Sequence, residues 1–327
     1  MEAEAQPAIG DTVRMKVAYL VLTHGMPDHL GRLITALRDE GVSFFVHVDR
    51  KVPIEPFLAY RAPDVEFLDE RVPVYWGEWQ MVEATLRLMK RALEQADPDY
   101  LVLLSGSCYP IRSNSHIRSV LGDGTGQFIN SVPMPSEELH KPISRIERFR
   151  FRSDRPWIEN VIRAVPVVLH GPRRGRRFSR RWLLTRDWRR ELRLDPYAGS
   201  SWWALTGTAA RYVLDFAARE PSVVRFFENT RSPDEGFFQT VLANSTFAPA
   251  MRRGLTYSDW KQHGSHPAVI TTEHVESFAR PGPLMGRGIY GTGELCFARK
   301  FPDDGGAMTG LVDAVIRTHD EALPTAG

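Results

Sequence analysis

Val17-Ala18-Tyr19-Leu20-Val21-Leu22-Thr23 is an apolar run without the polar-apolar alternation of a half-exposed strand. Its β-branched content and continuity predict a strand covered on both faces, as in a parallel sheet. His24-Gly25-Met26-Pro27-Asp28 interrupts the run, and Asp28 is the expected N-cap of a helix through Leu37. Val42 to Val48 is a second strand, ending in His47-Val48-Asp49-Arg50-Lys51. Val65-Glu66-Phe67-Leu68 reads as a short third strand. Val82 to Leu93 repeats apolar residues at helical spacing, and Tyr100-Leu101-Val102-Leu103-Leu104 is another buried strand. This alternation of strands and helices is the rhythm of an open α/β sheet with crossover helices.

Further along, Gly199 to Thr206 predicts a strand, Ala209 to Ala218 a helix, Gly236 to Leu242 a helix and Met308 to His319 a last helix. Ligands of open α/β sheets bind outside the carboxyl ends of the strands. The loops there are Thr23-His24-Gly25, His47-Val48-Asp49 and Ser105-Gly106-Ser107. No G-x-G-x-x-G follows the first strand and no G-x-x-x-x-G-K-[ST] occurs, which argues against a dinucleotide fold and a P-loop.

The 327 residues are 43% hydrophobic and 25% charged, enough for one large α/β domain or two small ones. The net charge of +2 gives a weak overall field, yet arginines crowd the stretch from Lys141 to Arg193. Arg173-Arg174-Gly175-Arg176-Arg177 and Arg180-Arg181 are its centre. Such a run is either a solvated loop or a docking patch for an acidic partner. Two cysteines, Cys108 and Cys296, make no disulfide framework and suggest a reducing compartment. Met1 to Arg14 lacks the apolar core of a signal peptide, and no segment has the apolar length of a membrane span, so a cytoplasmic protein is expected.

Chemistry is concentrated in Arg231-Ser232-Pro233-Asp234-Glu235-Gly236-Phe237-Phe238-Gln239-Thr240. Two carboxylates after a proline suit a helix start, where the dipole favours negative charge. They also suit a rigidly held general base. Glu235 beside Phe237 and Phe238 is expected to have a raised pKa, with Asp234 capping the helix and orienting the loop. Asp49 is either a turn residue or an acceptor for a ribose or pyrimidine group. Asp97-Pro98-Asp99 has a metal-binding spacing but precedes its strand, which reads as a turn; no His/Cys spacing suggests zinc. Arg299-Lys300, within Leu295 to Phe301, offers cations to a leaving diphosphate or a snorkelling surface pair. Trp202, Trp203, Tyr257 and Trp260 are core aromatics or stacking faces for a sugar ring.

Seven blocks together resemble the Core-2/I-branching β-1,6-N-acetylglucosaminyltransferase family, which includes peptide O-xylosyltransferases. They are His47-Val48-Asp49-Arg50-Lys51; Tyr75-Trp76-Gly77 with Met81-Val82-Glu83-Ala84; Tyr100 to Pro110; Gly199-Ser200-Ser201-Trp202; Ser232-Pro233-Asp234-Glu235; Tyr257-Ser258-Asp259-Trp260; and Phe297-Ala298-Arg299-Lys300-Phe301. The resemblance implies a GT-A-like α/β fold with a mixed, mostly parallel sheet flanked by helices. The catalytic domain would span residues 15–301, with a nucleotide-binding half (15–135), an acceptor half (136–301) carrying the arginine-rich insertion (141–193), and a tail (302–327). It further implies an inverting transferase using a UDP-sugar, most often UDP-N-acetylglucosamine, without a metal or other cofactor.

By the same resemblance Glu235 is the base, Lys300 contacts the diphosphate and Asp49 the uridine; Arg280 or Arg287 supplies a second cation. Thr23, His24, Ser105 and Gly106 fall on the donor side; Trp202, Trp203, Asp234, Tyr257 and Trp260 on the acceptor side. Three departures stand out. Cys108 replaces a usual aspartate, Glu78 and Trp79 replace small residues, and the secretory anchor and disulfide cysteines of animal members are missing. A soluble bacterial member is thus implied. Its acceptor is an open question: a glycan or natural product, or an acidic carrier protein or anionic glycan held at Arg173 to Arg181. A xylose donor is the alternative within the class. A basic module binding nucleic acid or anionic polymer is the rival outside it, and it leaves the ordered Asp49, Glu235 and Lys300 unexplained.

Overall fold

The computed structural model describes residues 14–122, 124–150, 160–161, 164, 168, 185–260 and 266–322. The arginine cluster Arg173 to Arg181 lies outside them. In chain order the strands are β1 (Val17–Thr23), β2 (Val42–Val48), β3 (Val65–Phe67), β4 (Tyr100–Ser105), β5 (Tyr109–Pro110), β6 (Gln127–Pro133), β7 (Tyr197–Thr206), β8 (Met251–Arg252), β9 (Thr256–Ser258), β10 (Met285–Gly286), β11 (Gly293–Glu294) and β12 (Phe297–Arg299). Seven of them form one sheet in the order β3-β2-β1-β4-β7-β6-β8. Its β3, β2, β1 and β4 are mutually parallel, β7 is antiparallel to both neighbours, and β8 pairs with β6 in parallel. This is the mixed, mostly parallel α/β sheet that the family resemblance implied, and its parallel strands are the apolar runs. β5, β12 and β9 make a small second sheet.

Both faces of the main sheet are covered, which is why its strands read as unbroken apolar runs. Val17, Tyr19 and Val21 of β1 face a core shared with Leu30, Leu33 and Leu37 of the helix Pro27–Leu37. Ala18 and Leu20 face a second core with Val82, Leu88 and Met89 of the helix Gln80–Gln95. Asp28 is not the cap of the first helix: Met26 holds that position, Pro27 starts the helix and Asp28 sits in its first turn, taking a hydrogen bond from Tyr60 Oη at 2.8 Å. Proline at the start needs no N–H partner, so the helix forms without a side-chain cap. Among the described residues no helix is long and apolar enough to cross a membrane.

The direction of β7 builds the site. Tyr100 at the start of β4 lies opposite Thr206 at the end of β7. The first residues of β7 therefore lie where β1 and β4 finish, and one rim of the sheet combines three C-terminal strand ends with Gly199 to Trp202. Asp97-Pro98-Asp99 is at the opposite end: Asp99 Oδ2 accepts from Lys16 N at 2.7 Å, before β1.

Candidate active site

The end of the rim where β1, β2 and β4 finish is made largely by backbone. Asp49 N donates to Thr23 O at 2.8 Å and Gly106 N to Leu22 O at 2.8 Å, tying the three predicted loops together. A Cβ on Gly106 would stand 2.3 Å from Thr23 Oγ1, so only glycine permits this approach. Asp49 is buried; its Oδ1 accepts from Lys51 N at 2.9 Å and Val74 N at 3.3 Å, and its Oδ2 lies 3.4 Å from Lys51 Nζ. Thr23 and Ser105 are also buried, whereas His24 is exposed. Phe301 N donates to Ser107 O at 2.9 Å, which brings the end of β12, and with it Lys300, to the loop after β4. The Lys300 side chain forms no ion pair among the described residues.

The paired carboxylates sit on a short 3-10 turn, Pro233–Glu235, entered through Ser232 in the left-handed region (φ 53). Ser232 N donates to Gly77 O at 2.9 Å and Arg231 N to Arg145 O at 3.2 Å, so two distant segments fix the turn. Below it, Phe237 packs edge-on to Trp79, with ring centres 5.3 Å apart. The unusual Trp79 thus buttresses the element that carries the carboxylates.

Glu235 stands at the surface of this rim with 27% of its side chain exposed. Its Oε2 accepts from Lys141 Nζ at 2.8 Å and from Arg145 Nη1 at 2.7 Å. Oε1 takes no hydrogen bond from any described residue. Lys141 is buried and its Nζ also donates to Gly199 O. A Cβ on Gly199 would fall 1.6 Å from Asn130 O, so the bend that presents this carbonyl needs glycine.

The expected upward shift of Glu235 is reversed. Burial works to raise its pKa, but Lys141 and then Arg145 outweigh it and hold the carboxyl below the usual range. Asp234 behaves as Glu235 was expected to. Burial, then the charge of Glu235, raises its pKa to about 6 against the hydrogen bond from Ser201 Oγ at 2.6 Å. Nor does Asp234 cap the next helix: Phe237–Ala243 begins with no side-chain cap, and Asp234 Oδ1 is buried without a partner.

Trp203 lies in the core against Phe238 and has no face for a sugar. Trp202 is buried too, with the Arg299 guanidinium 4.6 Å over its ring. Their alternation in β7 sends neighbouring rings to opposite faces, and both faces are covered. Tyr257 packs edge-on to Phe278, while Trp260 is half exposed. Arg280 and Arg287 are exposed and ion-paired with nothing among the described residues. Arg299 is drawn inward instead: burial lowers its pKa, opposed by Cys108 and Asp234, and its Nε has no partner. Lys141, Arg145 and Ser201 were not singled out from the sequence as site residues, although the first two open the basic stretch at Lys141. Tyr290 also belongs here, its phenol held neutral by burial and by Glu235. Among the described residues no cluster of three or more His, Cys, Asp or Glu could hold a metal.

A family model described as Core-2/I-Branching enzyme matches residues 17–278. The chain belongs to that family. It is 26% identical to rat (Rattus norvegicus) xylosyltransferase 2 over 273 residues, 79% of this chain and 28% of that protein. It is 22% identical to a beta-1,3-galactosyl-O-glycosyl-glycoprotein beta-1,6-N-acetylglucosaminyltransferase of Bovine herpesvirus 4 (strain DN-599), over 72% of this chain and 48% of that one. The chain therefore spans about a quarter to a half of these relatives. Among solved structures, a 4-diphosphocytidyl-2C-methyl-D-erythritol synthase aligns over 67% of this chain and 88% of that one, at 13% identity and a TM-score of 0.32.

Proposed function

We propose that this protein is an inverting glycosyltransferase that moves a sugar from a UDP-sugar to a hydroxyl or amine acceptor, with Glu235 as the base. One observation carries the reading: a partly exposed carboxylate whose Oε2 is held by two cations and whose Oε1 takes no hydrogen bond from any described residue. Lys141 and Arg145 keep Glu235 ionised and aimed. A carboxylate made this acidic is a weak base toward a neutral alcohol. It receives the proton late, as the acceptor oxygen bonds to the anomeric carbon and its O–H becomes acidic. UDP departs from the opposite face, and inversion follows. Lys300, with Arg299 beside it, would stabilise the diphosphate charge without a metal. Asp49 and the Thr23 and Gly106 loops would hold the nucleotide.

Family membership supports glycosyl transfer, and both relatives bear on the donor. UDP-N-acetylglucosamine is the first donor to test and UDP-xylose the second, since a xylosyltransferase is among the similar proteins. A donor screen reading sugar-nucleotide hydrolysis separates them. Glu235→Gln should lower turnover by about 10²–10⁴-fold and leave UDP binding nearly intact. Turnover equal to the parent removes Glu235 from the mechanism. Activity should survive EDTA; strict dependence on added Mn²⁺ contradicts the metal-free reading. Thermal shifts with UDP and with duplex DNA address the rival binding module, since a ligand specific for the folded state raises stability. Selective stabilisation by DNA would favour that module.

A further inference from the structure

A second cleft, of about 660 Å³, lies away from Glu235 and none of the chemistry above uses it. It is backed by the helix Pro221–Glu228, whose Phe226 lines the cleft while Phe227 packs against Phe237 beyond the catalytic turn. Four arginines line it (Arg186, Arg190, Arg193 and Arg225) against two carboxylates, Glu191 and Glu220. Phe149, Phe216 and Leu194 supply apolar wall. The volume is that of a small-molecule pocket.

Arg186 is the informative residue. Its side chain is 2% exposed. Nε donates to Ile146 O at 2.8 Å and Nη1 to Phe226 O at 2.9 Å, while the guanidinium carbon sits 3.6 Å over the Phe226 ring. Nη2 is buried and has no acceptor among the described residues. The nearest carboxylate, Glu191, is 3.9 Å from Nη1, beyond hydrogen-bond distance, and 43% exposed. A buried donor without a partner is costly, and Arg186 is one of the residues that line the cleft, so a ligand oxygen coming within reach of Nη2 would relieve that cost. Arginine forks match the oxygens of a phosphate, and the exposed Arg190 and Arg225 add charge to the same space.

We propose that this cleft binds a phosphomonoester carrying an apolar arm, the phosphate on Arg186, Arg190 and Arg225 and the arm along Phe149, Phe216 and Leu194. The site stands apart from glycosyl transfer, yet it touches the catalytic framework: Ile146, which accepts from Arg186, follows Arg145, which holds Glu235.

Calorimetric titration of the full chain with octyl phosphate, inorganic phosphate and octanol tests this. Octyl phosphate should bind saturably at one site, with affinity unchanged by saturating UDP and by Glu235→Gln. Inorganic phosphate should bind about tenfold or more weakly, and octanol without saturation. Arg186 is embedded and its loss threatens folding, so the decisive variant is Arg190→Ala/Arg225→Ala, both on the surface. It should lower octyl phosphate affinity by about tenfold or more, the scale of a hydrogen bond to a charged group. No saturable binding, displacement by UDP, or parental affinity in the double variant would overturn the site. Inorganic phosphate or octanol binding as tightly as octyl phosphate would overturn the ligand class.

Discussion

Along one rim of the sheet, polar groups are held in two different ways. At the β1–β4 end, Asp49 is met by backbone amides 2 and 25 residues away, and the loops are joined by main-chain hydrogen bonds. On the β7 side, Glu235 is met by cationic side chains 94 and 90 residues away, and Asp234 by a serine hydroxyl 33 away. The first end is a rigid cradle built by strand geometry. The second is a set of charges whose balance depends on partners from three parts of the chain. Damage should therefore appear as lost affinity at the first end and as altered protonation at the second.

Lys141→Met should break this contrast most strongly. The variant keeps most of the length of the side chain but leaves Glu235 with Arg145 alone. Removing one member of a buried ion pair costs about 3–5 kcal/mol, and partial exposure of Glu235 puts the expectation near the lower figure. Glu235 is depressed in the folded state, so its contribution to stability is present above the usual carboxylate range and lost as pH falls through the depressed value. The melting-temperature gap between parent and variant should thus narrow on acidification. The acid limb of kcat/KM should move upward by about one to three pH units. An unmoved acid limb would mean that Lys141 does not tune the base.

This contrast also explains what could be read from the amino acids. The apolar runs at Val17, Val42 and Tyr100 revealed the parallel strands because burial on both faces removes alternation, and the loops after them followed from topology. The Ser232 to Glu235 turn was visible through Pro233 and its paired carboxylates. The pKa pattern was not legible. Phe237 and Phe238 suggested an apolar setting for Glu235, but both rings point into the core, while Lys141 and Arg145 reach its carboxylate from a segment far away in sequence. Trp202 and Trp203 misled for a related reason: composition cannot say which face of an aromatic ring is already covered.

Asp234→Asn sharpens the comparison by isolating the second carboxylate. Its folded pKa is raised from 3.8 to about 6, so the folded state holds the extra proton between those values. Stability from this group is complete below the unfolded value and falls as pH rises toward the folded one. Above it the buried charge costs on the order of 2–3 kcal/mol. Asparagine is neutral at every pH and can still accept from Ser201. The variant should melt higher than the parent at pH 8 and alike at about pH 4. A variant less stable at pH 8 would show that the Asp234 charge is compensated in the fold, with the Lys141 ammonium, which already favours the ionised form, as the source.

The mildest test belongs to the backbone-built end. In Gly106→Ala the new Cβ would meet Thr23 Oγ1, a side-chain atom that can rotate only by giving up its hydrogen bond to Gly25 O at 3.0 Å. The loops between β1 and β4 must then separate slightly, and the groups proposed to hold the nucleotide lose alignment together. About tenfold weaker UDP binding is expected, equivalent to about 1.4 kcal/mol. The pH dependence of kcat should not move, because no charge near Glu235 changes. A shifted pH profile with unchanged UDP affinity would reverse the assignment of the two ends, making the Gly106 loop part of the protonation machinery and leaving the nucleotide to be held elsewhere.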